Sequence, residues 1–239
     1  MNGFNFKYDK NSNTYIESRV VSGFINKVFG WLMLGILVTA GVLFTILNNT
    51  NALVFVLKNN LHVISLFVML GISFFLSFSV RSSLNTVRIA YISYCILTGI
   101  SLTFLIAFDP RTVLFVLLAT SSIFGVSAIY GYLTGEDLSK FTSVLAVSLV
   151  FLVVVNITNL FLRLEFFDMI IGYFGAVIFT ALVAVKVQSL KQLAVALSDS
   201  YGEDRVDRFA VFGAFSLFLS FINLFLSILR IMTNGKRKK

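Results

Sequence analysis

A chain of 239 residues that is 58% hydrophobic and only 13% charged, with a mean hydropathy of +0.93, has too little charge to cover a water-soluble domain. Its net charge of +8 would suit a nucleic-acid binder if the cations were grouped, but they flank apolar runs, as membrane anchors do. Composition therefore excludes a soluble domain and a nucleic-acid partner, and makes the lipid bilayer the first partner.

The first 27 residues are mostly polar and carry no feature of a cleaved signal; residues 1–18 suggest no role. The first predicted span, Val28–Leu47, contains no charge and exceeds a typical signal core in length. The second, Leu61–Val80, holds His62, the chain's one imidazole, a single residue inside its start. An interfacial histidine outweighs a catalytic base there. The third, Ile89–Phe108, contains the lone Cys95, so neither a disulfide framework nor a cysteine metal site is expected. Packing is the better reading of that thiol. The fourth and fifth spans are Thr112–Gly135 and Phe141–Leu162. They follow "DPR" (109–111) and "EDLSK" (136–140), which are short enough to be tight turns between antiparallel helices. Pro110, the only proline, lies in the first turn, so proline breaks no span.

The sixth span, Met169–Val185, is the shortest and runs into Lys186. The sequence that follows, "KVQSLKQLAVAL", predicts that its helix continues into the headgroup region and ends near Ser198. Within it Gly172, Ala176, Thr180 and Ala184 recur every four residues, a small-residue stripe that lets helix backbones approach closely. The seventh span, Phe209–Leu229, carries Gly213, Ser216, Ser220, Asn223 and Ser227 on one face. Lipid would not select that seam. It is read first as helix–helix contact and second as a polar pathway. The basic tail, 230–239, follows. The fold class is thus all-α integral membrane: one seven-helix bundle over 28–229, with the polar-seamed seventh helix at its centre.

Lysines and arginines set the orientation. The N-terminal segment and the even connections carry eleven, against three in the odd connections, which places the N-terminus in the cytoplasm. The tail adds five on the opposite side if the last run crosses fully; a full crossing is favoured over a re-entrant one. All eleven acids lie outside the seven runs. Proton relays and cation sites in bilayers usually rest on intramembrane acids, so a paired-acid protease is excluded, and backbone carbonyls, Asn223 and serines could coordinate calcium only weakly. No catalytic constellation, cofactor motif or metal cluster is expected, and an enzyme is not expected.

Five segments resemble one family, the Bax inhibitor-1 (transmembrane Bax inhibitor motif) proteins. They are "TGISL" (98–102), "YGYLTGEDLSKF" (130–141), "NITNLFL" (156–162), "ALVAVKVQSLK" (181–191) and "SLFLSFINLFLSILR" (216–230). The resemblance implies six helices around a central seventh and a pH-sensitive calcium leak. Two aspartates sharing a proton would gate the leak, with an arginine near the end of the second helix as their latch. Aligned on these segments, Lys186 stands at the first aspartate, Ser220 at the second and Arg81 at the arginine; Asn223 lies on the same path. With both acids replaced, pH-gated calcium conduction is not expected. The implied reading is a bacterial cytoplasmic-membrane ion-leak protein with an altered or closed gate. The alternative is a non-conducting protein that modulates other membrane proteins or stress responses by helix packing.

Overall fold

Val21, Phe24, Ile25, Val28 and Leu32 are buried at the spacing of one helix face, and they carry the first helix well upstream of its uncharged run. In the computed structural model, which describes residues 10–78, 82–162, 164–198 and 203–237, α1 spans Lys10–Asn48. A short helix, α2 (Thr50–Lys58), follows and is capped by Asn49, whose side chain accepts from the Ala52 N–H. The turn into α3 (Leu61–Phe78) passes through Asn60 at φ 52, a left-handed conformation that asparagine tolerates well.

Next come α4 (Leu84–Ser101), a 3-10 turn over Leu102–Ala107, and α5 (Pro110–Leu133). Asp109 caps α5, with Pro110 in the first turn, where a missing N–H costs nothing. A second 3-10 turn, Leu138–Phe141, leads into α6 (Thr142–Leu162). Asp137 caps this turn, and the Ser139 hydroxyl and backbone N–H hold its carboxyl below the usual carboxylate range. Two long helices complete the chain, α7 (Glu165–Ser198) and α8 (Glu203–Arg237).

Seven of these helices are long and apolar enough to cross a membrane; α2 is the extra one. The outward faces are apolar, with Phe44 and Phe161 70% and 79% exposed. Water would not tolerate such faces, and lipid does. The protein is an all-α integral membrane protein.

The last helix, α8, is the most buried span and packs mainly on α7, α1, α5 and α4. The third and sixth helices are attached more loosely, α3 chiefly to α4 and α6 chiefly to α7. Because lipid offers no hydrophobic drive between helices, such contacts rest on close packing and hydrogen bonds. Among the described glycines, Gly131 provides the tightest approach of one backbone to another. A Cβ there would collide with the backbone of Ala184, so α5 and α7 touch main chain to main chain.

Candidate functional site

Helices α7 and α8 run antiparallel, and the polar seam of α8 faces α7 along its length. At one end Gly213 lies under Leu190, where a Cβ would come within 2.6 Å of the leucine. At the other end Gly172 and Gly175 receive Ser227 and Ile231. Between them the Lys186 ammonium donates to the Ser216 carbonyl and to Ser220 Oγ, both at 2.9 Å. Ser220 in turn donates to the Ser216 carbonyl at 3.3 Å. Lys186 and Ser220, both predicted site residues, are therefore bonded to one another.

As the sequence predicts, the helix that carries Lys186 does not stop at that residue. The helix continues to Ser198 because Val187, Leu190, Ala194 and Leu197 are all buried at 3-4-3 spacing, which keeps one apolar face inward. The amine sits against the middle of α8, partly buried, with Val183 and Val187 fully buried beside it.

The remaining seam residues are satisfied locally. Asn223 donates to the Leu219 carbonyl at 2.7 Å, Ser227 to Asn223 at 2.8 Å and Thr180 to Ala176 at 2.6 Å. The stripe on α7 is divided between partners. Gly172 faces α8 while Ala184 faces α5 at Gly131, and Ala176 packs partly buried against the core. Four-residue steps overshoot the 3.6-residue turn, so such a stripe winds around its helix. Arg81 lies outside the described residues.

A cavity of about 700 Å³ extends from Lys186 and Ser220, past Asn223, to Asn156 and Arg230. Its walls come from α3, α4, α6, α7 and α8. Arg230 also lines a neighbouring cavity of about 410 Å³ that contains Asp168. The rim there is a polar cluster that sequence reasoning missed. Arg230 Nη1 donates to Asn156 Oδ1 at 3.0 Å, and its Nε lies 3.8 Å from Asp168. Asn159 donates to Asp168 at 2.9 Å and accepts from the Leu164 N–H at 3.0 Å. The opposite end of α8 has its own ion cluster, in which Asp207 is paired with Lys27 at 2.7 Å and Arg88 at 3.2 Å. Asp168 and Asp207 both fall within the helical spans, near the ends, and neither approaches Lys186. Among the described residues no group of three His, Cys, Asp or Glu side chains could hold a metal.

The quoted sequence segments meet one another. Gln188 of "ALVAVKVQSLK" donates to the Glu136 carbonyl at 2.6 Å and accepts from the Leu138 N–H at 2.7 Å, both in "YGYLTGEDLSKF". Lys191 donates to the Tyr132 carbonyl at 3.1 Å. Asn156 of "NITNLFL" meets Arg230 at the end of "SLFLSFINLFLSILR". The signal that could have revealed the Arg230 cluster was thus in those segments, as polar residues at the inner edges of apolar runs.

Comparison with known proteins agrees with this pattern. The family profile described as Inhibitor of apoptosis-promoting Bax1 matches residues 21–237. The chain is 28% identical to the inner membrane protein YbhL of Escherichia coli, over 94% of this chain and 97% of that one. It is 30% identical to an uncharacterized protein of Rickettsia prowazekii, over 88% and 89% of the two chains. An uncharacterized protein of Borreliella burgdorferi is 29% identical over 93% and 95%. With nearly the whole chain matched and the matching segments in contact, the protein belongs to the Bax inhibitor-1 family.

Proposed function

We propose that this chain is a leak-type membrane protein in which a fixed hydrogen bond replaces a titrating acid pair, so that its cation path stays shut as pH changes. The observation that supports this reading is the 2.9 Å bond from Lys186 to Ser220 at mid-helix. A carboxylate pair held close shares a proton and releases it over an accessible pH range. An ammonium bonded to a hydroxyl and a carbonyl has no partner acid with which to share a proton, and its positive charge repels calcium. In this reading Lys186 and Ser220 form the latch, and Asn223 lies on the path beyond them. We place the protein in a bacterial cytoplasmic membrane with its N-terminus inside. The eleven-to-three distribution of basic residues and the description of YbhL as an inner membrane protein support that placement.

The test is calcium flux into dye-loaded liposomes across a pH series, comparing wild type with the Lys186→Asp/Ser220→Asp double variant. Wild type should show little pH-dependent flux, and the double variant should gain it. Robust wild-type flux with a midpoint near neutral pH would overturn the latch. Absence of flux from both proteins would favour a non-conducting role through helix packing.

A further inference from the structure

The 700 Å³ cavity has a cation at each end, Arg230 being paired with Asp168, and mostly apolar walls among which Asn156, Asn223 and three serines are set. Lys186 lies at its deep end and Arg230 at its rim, while Leu149, Leu152, Val153, Ile171, Phe179 and Leu182 line the walls. Among the described residues that line it, none is acidic. Two of the three Lys186 donors are engaged, on Ser216 and Ser220, and among the described residues the third has no partner. An ammonium with a spare donor in an apolar recess favours one negative charge, because a dianion would bury a charge without compensation. The cavity also has a lateral opening. Leu70 of α3 and Val153 and Ile157 of α6 line it and are 67%, 50% and 54% exposed, so it faces the acyl chains between two loosely attached helices. Ser220 and Arg230 are ten residues apart on α8, about 15 Å of helix rise, which leaves length for a hydrocarbon chain.

We infer that this cavity is a binding site for a single-chain carboxylate amphiphile, a fatty-acid anion whose carboxylate bonds Lys186 and whose chain leaves between α3 and α6. The assignment goes beyond ion leakage and is independent of whether any ion crosses.

Tritiated dodecanoate binding to the full chain in phosphatidylcholine nanodiscs, with empty discs subtracted, tests it. Saturable binding is expected, displaced by unlabelled dodecanoate and about tenfold or more less effectively by dodecanol, since a charge-assisted hydrogen bond is lost. Lys186→Gln should weaken binding by a similar factor. Val153→Trp, at the exposed lip, should weaken it without altering the melting temperature, which keeps the test decisive if the lysine variant misfolds. Equal competition by dodecanol, wild-type affinity in Lys186→Gln, or unchanged affinity in Val153→Trp would each overturn the proposal. Displacement by acetate at the same concentration as dodecanoate would overturn the amphiphile assignment in favour of a free carboxylate from water.

Discussion

The half of the bundle around Asp207 and the half around Arg230 are held by different means. Around Asp207 the helices meet directly. Gly131 brings α5 onto the backbone of α7, Gln188 binds the turn at 136–138, and one carboxylate ties α1 and α4 to α8. Around Arg230, α7 and α8 still meet at Gly172 and Gly175, but a cavity separates them from parts of α3 and α6, and a chain of asparagines with one ion pair bridges its rim. In a bilayer, where apolar contact between helices gains little over contact with lipid, the first half closes by removing side chains, and the second does so only between α7 and α8 while polar groups span the remaining gap.

The most damaging change should be Gly131→Leu. Its side chain would enter the Ala184 backbone, which cannot move aside as a flexible side chain would. A loss of at least about 3 kcal/mol is expected, read as a lowered melting temperature or a failure to purify as a folded species. A smaller effect compares the two polar devices. Asp207→Asn should cost about 1–2 kcal/mol, limited by the partial exposure of Lys27 and Arg88. Asn156→Ala, which removes one hydrogen bond to Arg230, should cost about 1 kcal/mol. Melts in low and high salt should shrink the first difference more than the second. Equal penalties at both ends would remove the distinction. The smallest effect is expected at the junction of the halves. Lys186→Met should fall within about 1 kcal/mol of wild type, because an apolar side chain of similar length avoids burying a charge and Ser220 keeps its bond to Ser216. A loss above about 3 kcal/mol would make the lysine a structural keystone.

Much of this was legible in the sequence. Seven charge-free runs predicted seven spans, and the 3-4-3-4 spacing from Gly213 to Ser227 predicted the face that α8 turns to α7. Helix ends were less legible. Charged residues interrupt the runs, yet α1 and α8 continue through them because Val21 and Val206 pack against the core. The helix α2 was also missed, since nine residues between two long apolar runs are too few to stand out from a connecting loop. The members of the Asn156–Arg230–Asp168 cluster could be picked out as polar residues at run edges, but their pairing could not. They lie on three helices, and only the packing of α6 and α8 against α7 brings residues 74 positions apart within bonding distance.

The uninterrupted course of α7 has a mechanical consequence. Thirty-four residues make a rod of about 51 Å, well beyond a hydrocarbon core of about 30 Å, so part of it stands outside the bilayer beside the start of α8. A rigid rod transmits tilt. Any load applied to its protruding end is felt at the Lys186–Ser220 crossing without an intervening hinge, which gives events at the membrane surface a direct lever on the molecule's interior.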